Sequence, residues 1–138
     1  MRPCGNESIV KPSSYDVAAI REHLDAIDEA LRRIVRRFQG IQSAADFTGS
    51  DTGADKLDAI AMMLLTIGEH LKKIDKLTNG ELLSRVPDMD WAGVKGTRDI
   101  IAHDYFGIDA EEIFSICKED LAPLQAAIDH VRALATTE

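Results

Sequence analysis

The residues able to do chemistry gather in one stretch. Lys95-Gly96-Thr97-Arg98-Asp99-Ile100-Ile101-Ala102-His103-Asp104-Tyr105-Phe106-Gly107 holds an arginine, two carboxylates, a histidine and a tyrosine between glycines. On an α-helix each residue turns by about 100°, so Asp99 and His103 share one face and Arg98 and Tyr105 a neighbouring one. Arg98 and His103, five apart, stand about 140° from each other around the axis. They converge if Arg98 reaches sideways, or if two copies of the helix meet across a dimer axis and pool their side chains in one groove. A histidine takes or gives a proton near neutral pH, a carboxylate one turn away holds its ring, and an arginine offers a planar fork that matches a phosphate. Together these functions suit metal-free cleavage of RNA. The 2′-hydroxyl loses its proton and attacks the adjacent phosphorus, and the leaving 5′-oxygen receives a proton. The same residues also suit a solvated ion-pair face, with His103 near the favourable C-terminal end of a helix.

The remaining motifs are sparse. A Gly-rich phosphate loop, H-E-x-x-H, Cys-x-x-Cys and G-x-S-x-G are all missing, which removes several enzyme classes. His23, His70 and His130 fall on long helical stretches without a second His or Cys at ligand spacing, and read as surface or boundary histidines. Cys4 and Cys117 argue against a disulfide framework and against a four-cysteine metal site. Arg32, Arg33, Arg36 and Arg37 form a basic patch on the first helix, and Lys72, Lys73 and Lys76 another on the second. With Lys95 they are candidate contacts to an RNA backbone, or a solvated face balanced by acids. Trp91 reads as a buried anchor and Met62 and Met63 as core fillers. Gly68, Gly93 and Gly96 read as places where helices approach closely.

The elements that must position these groups are helical almost throughout. From Tyr15 the apolar residues Val17, Ile20, Leu24, Ile27, Leu31, Ile34, Val35 and Phe38 recur at steps of three and four, with Ser14 to cap the helix and Gly40 to end it. Gln42 to Thr52 reads as a connection. Leu57, Ile60, Leu64, Ile67, Leu71, Ile74 and Leu77 then mark a second helix ending at Gly80, and the two stripes call for antiparallel pairing. A third helix is expected from Asp90 to about Tyr105, carrying Trp91, Val94, Ile100 and Ile101. A fourth region opens with Asp109 and Glu112 as a capping box, and Pro123 predicts a kink or a break near Asp120. The expected architecture is an all-α bundle of four to five helices, with residues 1 to 13 a flexible leader and 14 to 138 one domain.

Composition bounds the function. The chain has 138 residues, 45% of them hydrophobic, and 24 acidic against 16 basic side chains give a net charge of -8. Such a balance argues against indiscriminate coating of nucleic acid and leaves room for a local basic site. No apolar run approaches the roughly 18 residues that a membrane span needs, and the first residues lack a secretory core, so a cytoplasmic protein is expected.

The stretch from Arg98 to Tyr105 fits R-x-x-x-x-H-x-Y and resembles the signature of the HEPN superfamily, more narrowly of its HepT-like toxins. The resemblance extends through Ile67-Gly68-Glu69, Pro87, Asp90-Trp91, Val94-Lys95-Gly96-Thr97-Arg98-Asp99 and Tyr105-Phe106-Gly107-Ile108-Asp109, over roughly residues 15 to 135, although the leader before Tyr15 is longer than the pattern requires. It implies a helical bundle that dimerises through its motif helix and cleaves RNA without a metal or other cofactor. Arg98 and His103 become the catalytic pair and Asp99 the polar position that follows the arginine. The resemblance further implies a type VII toxin-antitoxin pair, in which a minimal nucleotidyltransferase antitoxin silences the toxin by adding AMP to Tyr105. The alternative it leaves is a non-catalytic HEPN subunit that binds nucleotide or serves as the scaffold of its nucleotidyltransferase.

Overall fold

A computed structural model describes residues 15–137. The expected leader, Cys4 and the Ser14 cap lie outside the described residues. Among those described, every regular element is helical: α1 (Val17–Phe38), α2 (Ala45–Thr48), α3 (Asp51–Thr78), α4 (Glu81–Ser84), α5 (Trp91–His103), α6 (Ala110–Ser115) and α7 (Leu121–Thr137), with a π-helical segment at Ile116–Asp120. Since α6, the π segment and α7 are continuous, the long elements number four, as the apolar stripes require. No helix among the described residues is long and apolar enough to cross a membrane.

α1 starts where Asp16 accepts a hydrogen bond from the Ala19 amide at 3.0 Å, so a carboxylate satisfies one of the amides that the first turn leaves open. Its inward stripe of Ile20, Leu24, Ile27, Leu31 and Ile34 is buried against Ile60, Leu64, Ile67, Leu71 and Ile74 of α3. The pair is antiparallel: the start of α3 lies beside the end of α1, where Lys56 Nζ donates to the Gln39 carbonyl. Val35, expected on the stripe, is instead exposed. The connection contains more structure than its polar composition suggested. Phe47 on α2 is fully buried, and Ser50 caps α3 by accepting from Gly53 N at 3.0 Å. α3 ends at Asn79 and Gly80, both in the left-handed region at φ 54 and 75, which a short polar side chain and glycine tolerate.

The last helix widens into a π turn just ahead of its proline, at the place where a kink or break was expected. Pro123 lacks the amide that would bond back to Glu119 and crowds that carbonyl, and the wider π turn over Ile116–Asp120 absorbs both effects. Asp109 caps the next helix by accepting from the Glu111 amide at 2.9 Å, one residue short of the Glu112 amide that the expected capping box would use. α7 is tied to α1 by Arg132, whose guanidinium contacts Asp25 at 2.9 Å and Asp28 at 2.5 Å. Met62 is a correction: it is exposed on α3, whereas Met63 packs on the core.

Candidate functional site

α5 is fixed at both ends by side chains. Asp90 accepts from the Gly93 amide at 2.9 Å, and buried Trp91 donates its indole N–H to the Val86 carbonyl at 3.0 Å. At the other end Asp104 accepts from the Gly107 amide at 3.0 Å, a tight turn that stops the helix at His103. With Trp91 and Ile101 turned into the core, helical geometry sends Arg98 toward α3 and leaves Asp99, Ile100 and His103 outward.

The approach of α5 to α3 is set at Gly68. A Cβ there would come within 2.2 Å of Arg98 Cβ and 2.8 Å of its Cγ, so only glycine lets the arginine stem cross α3 at this level. The next residue, Glu69, brings Oε1 to 2.7 Å from Arg98 Nε, a charge contact with the N–H off the ideal line. Arg98 Nη1 donates to Asp99 Oδ1 at 3.0 Å, and Lys72 Nζ donates to that same oxygen at 2.6 Å. The carboxylates of Asp99, first, and of Glu69 raise the Arg98 pKa. Lys72 first, then Arg98, lowers that of Asp99 below its ordinary value. The other two glycines correct the expectation: Gly93 makes room for the capping carboxylate of Asp90, and Gly96 has nothing within 4 Å of its added Cβ.

Two sequence expectations about the motif change. Asp99 is bound to Lys72 and Arg98, and among the described contacts none joins it to exposed His103. Tyr105 lies past the helix end, so it shares no stripe with Arg98. Its hydroxyl donates to the Asp58 carbonyl of α3 at 3.2 Å, and burial, then the Asp58 charge, raises its pKa. Beyond it Phe106 is 97% exposed, and Ile100 on α5 is 59% exposed, a large apolar presence around His103.

Of the expected basic contacts, the structure brings Lys72 to Arg98 and leaves the rest apart. Lys95 is paired with Asp75, Lys73 and Lys76 are exposed farther along α3, and Arg32 and Arg33 pair with Glu29. Arg37 donates to the Arg33 carbonyl and Arg36 is exposed. Arg32 also lines a groove between α1 and α7 with Val35, Lys118 and Gln125, away from the elements that hold Arg98. A cleft of about 320 Å³ among Leu64, Val94, Thr97, Ile116 and Leu124 likewise contains none of Arg98, Asp99, His103 or Tyr105.

Two features went unread in the sequence. Glu69 stood only as part of a pattern, because nothing in spacing shows which residue of α5 will cross it. His23 and His70, read as unconnected surface or boundary histidines, meet between α1 and α3 with their Nδ1 atoms 2.9 Å apart. Each immediately precedes a buried leucine, Leu24 and Leu71, so the antiparallel register was the signal that could have paired them. Burial first, then His23 and Lys73, lowers the His70 pKa, against a smaller opposing effect of Glu69. Among the described residues no group of three or more His, Cys, Asp or Glu is placed to hold a metal ion.

Comparison with known proteins identifies the family. The model of the Ribonuclease HepT-like family matches residues 27–131. A protein of Methanocaldococcus jannaschii named "Putative RNase MJ1380" is 32% identical over 73 residues, which cover 53% of this chain and 63% of that protein. The match thus spans less than two thirds of the relative's length. No solved structure matches the chain at a significant level. Because the family model covers most of the chain and takes in α3, all of α5 and the Arg98 to Tyr105 motif, the chain belongs to the HepT-like family of the HEPN superfamily.

Proposed function

We propose that this chain is a metal-independent endoribonuclease, the toxin of a type VII toxin-antitoxin pair, acting as a homodimer with Arg98 and His103 in a composite groove. The observation that carries it is the placement of the two residues: Arg98 is braced over Gly68 by Glu69, while His103 stands exposed on the same helix about 140° around and roughly 7.5 Å along the axis. One copy therefore spreads the pair over two faces, and two copies of α5 facing each other bring an arginine of one toward a histidine of the other. Exposed Ile100 and Phe106 beside His103 favour contact at that face.

In the groove one His103 takes the 2′-hydroxyl proton as the 2′-oxygen bonds to phosphorus, and the partner's His103 gives a proton to the departing 5′-oxygen. The products are a 2′,3′-cyclic phosphate and a 5′-hydroxyl, and Arg98 offsets the charge that builds on the phosphoryl oxygens. Silencing follows from Tyr105. Its oxygen attacks the α-phosphorus of ATP, pyrophosphate leaves, and the phenolic proton passes to a base of the nucleotidyltransferase. Since a phenol is protonated at neutral pH and its hydrogen bond ties it to Asp58, the partner has to supply both the base and the release.

The scaffold reading draws on one observation, that Glu69 and Asp99 already offset the charge of Arg98. Activity separates the two. Expression of the wild type alone should arrest growth and purified protein should cleave RNA in EDTA. His103→Ala should abolish both, by at least about a hundredfold in rate, and co-expression with the nucleotidyltransferase should add whole AMP units to wild type and none to Tyr105→Phe. A harmless wild type that leaves RNA intact refutes the toxin reading, and AMP on another residue refutes the role of Tyr105.

A further inference from the structure

The contact between α3 and α5 carries an inference about how the proposed site receives its substrate, and it rests on that proposal. One oxygen, Asp99 Oδ1, accepts from Lys72 Nζ at 2.6 Å and from Arg98 Nη1 at 3.0 Å, so cations from two helices converge on a single anionic oxygen. Charge-assisted hydrogen bonds from lysine and arginine to a phosphate oxygen have the same donors and lengths. Glu69 meets Arg98 at Nε, the edge nearer the stem, and leaves the Nη edge for a second anion. Of the three side chains Asp99 is the most exposed, 55% against 40% for Lys72 and 26% for Arg98, so its carboxylate leaves the cluster by rotating into water while both cations stay.

We propose that Lys72 and Arg98 form a two-cation cradle for a backbone phosphate of RNA, and that Asp99 occupies the cradle in the free chain. The charges fit. Arg98 and Lys72 against Glu69 and Asp99 sum to zero with Asp99 in place, and rotation of Asp99 away leaves one net positive charge facing one phosphate. Lys72 becomes a binding residue of the site, distinct from the exposed Lys73 and Lys76 of the same helix. Asp99 becomes a competitor of the substrate, which reverses the sign expected of a carboxylate that orients His103. Because exposed ion pairs are weak, the exchange is readily reversible and sets a threshold against weak anions.

The test is binding of a fluorescently labelled 2′-O-methyl RNA dodecamer, which lacks the nucleophile for cleavage, measured by anisotropy between 25 and 200 mM salt. Asp99→Asn should bind roughly twofold to tenfold more tightly than wild type, the range that loss of one or two exposed ion pairs to a competitor gives. Asp99→Ser should do the same and guards against a folding fault in one variant. Adding Lys72→Met to Asp99→Asn should remove the gain and lower the salt slope by about 0.7, the value for one single-strand phosphate contact. Unchanged or weaker binding by both Asp99 variants overturns the cradle, as does a gain that survives Lys72→Met. Cleavage of the unmodified RNA is assayed in parallel: wild type that binds but never cleaves refutes the ribonuclease reading alone, and cleavage without tighter binding by the Asp99 variants refutes the cradle alone.

Discussion

Replacing Gly68 with alanine tests the geometry of the site at its narrowest point. The new Cβ would stand 2.2 Å from Arg98 Cβ. Carbon atoms rest at about 3.5 to 4.0 Å, so the arginine stem has to retreat by about 1.5 Å, and its Cβ is too close to the backbone of α5 to rotate clear. Overpacking of this kind costs about 1 to 3 kcal/mol, while alanine in place of glycine inside a helix returns about 1 kcal/mol. The expected net loss of stability is therefore about 0 to 2 kcal/mol, small enough to leave the protein folded. The effect on cleavage should be larger, because a misplacement of about 1 Å in a reacting group costs on the order of a hundredfold. Gly96→Ala on α5 is the control, since nothing lies within 4 Å of its Cβ, and it should gain about 0.5 to 1 kcal/mol. Thermal unfolding and initial cleavage rates of both variants decide the matter. If Gly68→Ala stabilises the chain as much as Gly96→Ala does and cleaves within threefold of wild type, Gly68 does not set the position of Arg98.

Other perturbations follow from single contacts. The pKa of His70 is lowered in the folded state, so its contribution to stability is complete above the ordinary value of 6.5 and is lost as pH falls through the folded value. Wild-type Tm should drop between pH 7.5 and 5.5 more than that of His70→Gln, and parallel profiles would refute the assignment. In a Cys4→Ser background the remaining thiol, Cys117, is pushed up to about 12 by burial and should react with iodoacetamide only as fast as the chain unfolds; labelling of native protein within minutes would contradict that. Phe106→Asp should convert the proposed dimer to monomer in sedimentation while leaving Tm within a few degrees, because the ring is 97% exposed in one chain. A dimer of unchanged strength would remove Phe106 from the interface.

What could be read in advance was whatever one helix decides alone. The stripes of α1 and α3, the Asp90 start of α5 and the irregular turn upstream of Pro123 depend on periodicity, capping and proline sterics, and all three act within a few residues. Contacts between helices were not legible in the same way. Asp99 looked like the partner of His103 because only its own helix was in view, yet Lys72 comes from 27 positions back and takes it. Tyr105 looked helical until Asp104 closed its turn on Gly107. The His23 and His70 pair depends on a register between helices that 47 residues separate, and spacing within either helix carries no trace of it.

The net charge of -8 makes sense once charge is counted by place. At the site the free chain is locally balanced, with Arg98 and Lys72 held by Glu69 and Asp99. The long-range field therefore draws no polyanion to the surface, and in the proposed cradle affinity would arise where a phosphate exchanges with Asp99. In the proposed dimer a second copy would add to this by contact area, and magnitudes limit how. Full burial of one Phe or Ile side chain is worth about 1.5 to 3 kcal/mol, so Ile100 and Phe106 from two copies supply roughly 6 to 12 kcal/mol at best. Association costs about 4 to 15 kcal/mol, so these four side chains alone hold a dimer only marginally. More of the outward face of α5 has to join the contact or RNA has to bridge the two chains. In the second case the composite site forms on its substrate, and sedimentation with and without the 2′-O-methyl dodecamer tells the two apart.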